Sequence, residues 1–143
     1  MFKNFKLIGT VCLIMAMLVS FSSCSNPEKQ IIGKWKVTKA RFDGDDYEPE
    51  GEKWIFKENG KCTISIYGAE HLGHYSIKNG TLSIDVKYYE NGDGQEMTGD
   101  LDLDEFNKKE MSVSGTVKLR AYEDGQWDYY YYPCRIYYEL EKL

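Results

Sequence analysis

"TLSIDVKYY", residues 81–89, alternates apolar and polar side chains without a break. Leu82, Ile84, Val86 and Tyr88 fall on one side, and Thr81, Ser83, Asp85 and Lys87 on the other. A period of two is that of a strand with one buried face. "GDLDLDE" (99–105) and "MSVSGTVKL" (111–119) repeat the pattern. Nothing after residue 30 carries the 3.6-residue stripe of an amphipathic helix. The chain beyond that point is therefore expected to be all-β.

Turn-forming clusters divide it further. They are "DGDDYEPEGE" (43–52), "KENGK" (57–61), "YGAEHLG" (67–73), "NG" (79–80), "ENGDGQE" (90–96), "FNKKE" (106–110) and "YEDGQW" (122–127). Seven connections imply eight strands, and Asn79-Gly80 is a strong type I′ hairpin signal. The first, third, fifth and seventh connections are long, while the others are tight. In an up-and-down barrel, odd and even connections lie at opposite ends. The spacing thus predicts an eight-stranded antiparallel up-and-down β-barrel with a loose mouth and a tight base. A barrel of this size either fills with side chains or holds one small ligand.

"IIGKWKV" (31–37) resembles the Gly-x-Trp signature of lipocalins, with Gly33 and Trp35 as its structural residues. "WIFKENGKCTI" (54–64), "GHYSI" (73–77) and "GTLSI" (80–84) resemble the strand-turn-strand pattern of small lipocalin-like lipoproteins common in the Bacteroides group. The resemblance implies a lipocalin-like barrel, here without the C-terminal helix of larger members. It also implies an arginine from the last strand region packed on Trp35. Arg135 is the candidate, although alternation with Ile136 and Tyr138 points it outward unless Pro133 introduces a bulge.

The N-terminal segment reads as an export signal. Lys3 and Lys6 precede an uncharged, mostly apolar run from Leu7 to Phe21, too short for an ordinary spanning helix and closed by small polar residues. "FSSC" (21–24) resembles a bacterial lipobox, with Phe21 in place of the usual aliphatic residue. That resemblance implies a diacylglycerol group on Cys24 and cleavage before it. The organisation expected is a signal peptide (1–23), an acylated Cys24 with a polar tether (24–30) and a barrel domain (31–143). The location expected is the bacterial envelope, with the outer membrane favoured and its face open.

Formal charge is −5, and removal of Lys3 and Lys6 makes the remainder more acidic, which disfavours nucleic acid as a partner. Cys62 and Cys134 share the inner parity of Ile64 and Ile136 on strands that are not neighbours. A disulfide and two buried thiols both remain open.

Alternation places Trp35, Val37, Lys39 and Arg41 inward on the first strand. Lys39, Arg41, Tyr75, Tyr88, Tyr130 and Tyr132 form the candidate ligand-binding set in the upper half, with Gly99 and Gly115 leaving space. An inward cation suits an anionic amphiphile, unless both cations snorkel to the rim. His71 and His74 are three apart, so on a strand they face opposite ways and chelate only if the turn curls back. No catalytic triad or EF-hand can be assembled. Asp100, Asp102 and Asp104 read as a solvated outer face. Neither a metal, a cofactor nor enzymatic activity is expected.

Two functions stay open. One is the binding of a small hydrophobic or amphiphilic ligand in the barrel. The other is a solid barrel that engages a protein or glycan through its acidic loops or the outer residues Tyr129, Tyr131 and Tyr137. The odd connections carry only acidic charge, from Asp43 to Asp124, whereas Lys29, Lys57, Lys61, Lys78, Lys108 and Lys109 mark the base and tether. A basic base facing an anionic membrane and an acidic mouth facing a basic partner are the corresponding expectations.

Overall fold

Asn79 and Gly80 both adopt positive φ, 52° and 75°, and fold Thr81 back against Lys78. This is the type I′ reversal anticipated from the dipeptide. The computed structural model describes residues 26–143 except 67, 124–125 and 128–131 and the side chains of Trp127 and Tyr132. The expected signal peptide (1–23), Cys24, Tyr129, Tyr130, Tyr131 and the side chain of Tyr132 therefore lie outside the described residues.

A single helical turn, α1 (Pro27–Gln30), leads into β1 (Gly33–Phe42) and a short β2 (Asp45–Tyr47). Then come β3 (Lys53–Phe56), β4 (Lys61–Ile66), β5 (Ala69–Lys78), β6 (Thr81–Glu90) and β7 (Asp93–Phe106). β8 (Glu110–Glu123), the two-residue β9 (Gln126–Trp127) and β10 (Tyr132–Lys142) complete the order. β2 folds back on β1, and β9 on β8. The other eight strands pair antiparallel in the order β1-β3-β4-β5-β6-β7-β8-β10, and β10 closes on β1. The fold is an eight-stranded antiparallel up-and-down barrel of lipocalin-like form.

Two of the expected loops are strand. β5 already begins at Ala69 and β7 at Asp93, so the third and fifth connections are tight reversals. Asn91 and Gly92, at φ 54° and 89°, make the second of these. The glycines that made 67–73 and 90–96 look like loops, Gly73 and Gly94, sit inside strands where neighbouring atoms approach too closely for a side chain. The contrast between a loose mouth and a tight base is correspondingly smaller, and among the described residues the first connection, 43–52, is its main source.

A second correction concerns β1. Val37 pairs with Leu140 but Lys39 pairs with Glu139, so Thr38 is an extra residue and the parity flips. Ala40 then points inward and is buried, Phe42 packs on the core, and Lys39 and Arg41 are exposed on the outer wall.

Among the described residues the interior is closely packed. Trp35, Trp54, Ile64, Leu82, Val86, Met97, Leu101, Val113, Val117 and Tyr138 all have 0% exposure. At that value no water-sized space touches these side chains, as expected for close packing. Gly99 and Gly115 do not open a cavity. A Cβ on Gly99 would lie 2.9 Å from the Thr116 carbonyl oxygen, and one on Gly115 2.8 Å from that of Asp100. They let adjacent strands close tightly around a small barrel.

Candidate functional site

At the base, Gly33 and Trp35 form a plug with the chain that precedes them. The Trp35 indole is fully buried, donates from Nε1 to the Ile31 carbonyl at 2.7 Å, and lies 6.0 Å from the Phe106 ring. Lys142 Nζ sits 5.3 Å from the centre of the Trp35 rings and donates to the Gln30 carbonyl at 2.7 Å. Gly33 has φ +132°, and an added Cβ would be 3.1 Å from Lys142 Cε. The cation over the signature tryptophan is thus Lys142, which pairs directly with Trp35. Arg135 is exposed on the outer wall, its backbone N–H bonded to Asp43 Oδ1 at 2.9 Å. The signal for Lys142 lay in the alternation Ile136, Tyr138, Leu140, which reaches it two residues later.

At the mouth, the first connection folds inward. Glu52 is 3% exposed and accepts hydrogen bonds from the Tyr47 hydroxyl at 3.0 Å and the Gly68 N–H at 3.1 Å. The Tyr47 and Tyr138 hydroxyls are 2.7 Å apart. Burial, followed by the neighbouring Tyr138 and Glu52, drives the Tyr47 phenol far above its ordinary pKa, so it stays protonated. The rings of Trp54 and Tyr138 are 4.8 Å apart, and buried Trp54 Nε1 has no hydrogen-bond partner among the described residues. Beyond β4, buried His71 bonds to the Ala69 carbonyl oxygen at 3.2 Å and to Gln95 Oε1 at 3.0 Å, with the Tyr88 ring 5.6 Å away. His71 was expected in a loop. It instead faces inward, while His74 is exposed on the opposite face of the same strand.

The candidate ligand-binding residues do not converge. Lys39 lies outside, 3.9 Å from Glu139, and Arg41 is bonded to Asp46 at 2.8 Å. Tyr75 faces inward but sits low rather than in the upper half. Its N–H meets the Gly60 carbonyl in a base turn, and its hydroxyl donates to the Lys57 carbonyl at 2.7 Å. Tyr88 is at the mouth, half-buried, with its hydroxyl donating to Glu90. Tyr130 and the side chain of Tyr132 fall outside the described residues. Among the described residues, no group of three or more His, Cys, Asp and Glu is placed to hold a metal.

Cys62 and Cys134 are both buried and free. Burial, aided by the nearby Asp85 carboxylate at Cys62 and by Asp43 at Cys134, pushes each thiol up to about 12. Because the thiolate is the reactive form, a thiol reagent at about pH 8 is expected to modify neither in the folded protein and both in denaturant. Prompt modification of native Cys62 or Cys134 would contradict their burial.

Charge follows two axes. The mouth connections carry Asp43, Asp45, Asp46, Glu48, Glu50, Glu90 and Asp93 on the surface, whereas Glu52 is turned inside. Around the barrel, the lower part of the β7–β8–β10 wall is also acidic, through Asp102, Asp104, Glu105, Glu110 and Glu141. Lysines occupy the opposite wall, β1–β3–β4–β5. The simple division into a basic base and an acidic mouth is therefore incomplete, because the strand faces add a lateral dipole.

In comparisons with known proteins, no family model matches the chain, and no curated protein or solved structure matches it.

Proposed function

We propose that this chain is a bacterial envelope lipoprotein anchored through Cys24, whose barrel acts as a solid interaction module for a basic protein partner. The observation that carries this reading is the filled interior, with Trp54, Ile64, Leu82, Met97 and Tyr138 all at 0% exposure beneath an acidic mouth. Binding energy is then available at the surface, where acidic charge attracts a basic partner and speeds its encounter. The role proposed is binding rather than catalysis. The lipobox-like "FSSC" and the entry of the chain at the base support a tether at that end.

A second reading is the small-ligand carrier. It is favoured by the unpartnered Trp54 Nε1 beneath the first connection, where Tyr47 and Glu52 would have to lift to admit a ligand. Native mass spectrometry of envelope-purified protein separates the two. A bound basic polypeptide supports the interaction module, and a stoichiometric small molecule overturns it in favour of the carrier.

The anchor has its own test. Cys24→Ala is expected to move the protein from the membrane to the soluble fraction, because acyl chains supply about 0.8 kcal/mol per buried methylene. Retention with an unprocessed N-terminus would identify a transmembrane anchor instead.

A further inference from the structure

Lys36 and Lys53 are direct cross-strand partners on the outer wall, with Lys36 also standing opposite Glu141 of β10, and among the described residues neither forms a salt bridge. Like charges placed opposite one another repel, so the Lys36–Lys53 contact itself adds nothing to the fold. Lys57 just after β3, Lys61 on β4 and Lys78 on β5 extend the same wall, all exposed and, among the described residues, none in a salt bridge. Within it, Lys57, Lys61 and His74 border a furrow of about 370 Å³ between β4 and β5, with Asp85 of β6 opposite His74 as the acidic neighbour that the two lysines outnumber. Leu72 borders the furrow too and is 61% exposed, the only large aliphatic side chain so exposed in the described strands. Lysines around an exposed leucine match a surface that is anionic outside and apolar just beneath.

We propose that the β1–β3–β4–β5 wall docks on an anionic membrane surface, seating a lipid phosphate among Lys57, Lys61 and His74 with Leu72 at the headgroup boundary. The acidic β7–β8–β10 wall then faces away from the bilayer. Asn26, two residues after Cys24, is followed directly by α1 and the base end of β1, so a tether there reaches the same wall. The inference rests on the envelope location proposed above, but it concerns orientation and lipid composition, which an acyl anchor alone does not set.

The test is lysine footprinting of the acylated protein in nanodiscs of phosphatidylcholine, with and without phosphatidylglycerol. Amine labelling of Lys36, Lys53, Lys57, Lys61 and Lys78 is expected to fall about threefold or more only in the anionic discs, since the attraction is electrostatic. Lys108, Lys109 and Lys118 should keep their reactivity. The double variant Lys57→Glu/Lys61→Glu, with unchanged circular dichroism, should lose the protection at Lys53 and Lys78. Equal labelling in both discs would overturn the proposal. So would protection of Lys108 and Lys109 to the same degree, which signifies docking on the base. Protection by inorganic phosphate without a membrane would replace the lipid surface with a soluble anion. The mass of the N-terminal peptide reads the anchor separately, and composition-dependent protection in protein lacking the acyl group would keep the docking while removing the anchor.

Discussion

Trp35→Ala is expected to lower stability by about 3–5 kcal/mol, the range for truncating a large buried aromatic. The indole has 0% exposure, so its loss leaves a cavity at the closed end of the barrel. The Ile31 carbonyl, held at 2.7 Å by the indole N–H, loses its partner, and Ile31 is itself fully buried. Lys142 loses the ring beneath its ammonium group. Lys142→Met keeps an unbranched chain beside Gly33 but removes both the ammonium over the ring and its hydrogen bond to the Gln30 carbonyl. Its cost should be about 1–3 kcal/mol. Urea denaturation with an unchanged m-value reads both variants. A loss under about 1 kcal/mol for Trp35→Ala would contradict its burial.

The strand pattern was legible because one face of each strand is buried and the other wet. Thr81 to Tyr88 and Met111 to Leu119 announce their faces residue by residue, and the structure keeps those faces except at Ser112, which is on the polar face but buried, its hydroxyl accepting from the Glu105 N–H. The inserted Thr38 carries no such signal. A bulge is set by how two strands meet, so alternation through it turned Lys39 and Arg41 inward when both lie outside. Glycine misled in the opposite way. Gly73 and Gly94 read as loop punctuation, and this hid His71 and Gln95, whose side chains meet at the mouth. Height along the barrel is also absent from a parity argument, which is why Tyr75 was grouped with Tyr88 though it bonds to a base turn. The candidate site suffered more than the fold because it needed parity, height and neighbour together.

Gly73→Ala is expected to be among the most damaging single changes outside the aromatic plug, at about 3 kcal/mol or more, beyond ordinary overpacking. Gly73 lies in β5 opposite Val86 on β6 and Cys62 on β4. A Cβ there would stand 1.9 Å from the Asp85 carbonyl oxygen and 2.8 Å from Val86 Cα. Those atoms are backbone, so no side chain can swing aside. β6 must move instead, carrying Ile84 and Val86, which are buried in the core. Gly68→Ala provides the contrast. Gly68 has φ +76° with nothing within 4 Å of an added Cβ, so only the left-handed backbone resists, at about 1–2 kcal/mol. Parallel urea titrations should therefore rank the two variants clearly, with amide exchange in residues 70–75 and 84–88 accelerating only for Gly73→Ala. If Gly73→Ala were as stable as Gly68→Ala, β5 and β6 would not approach closely at Gly73, and the tight closure argued for this small, filled barrel would fail at that point.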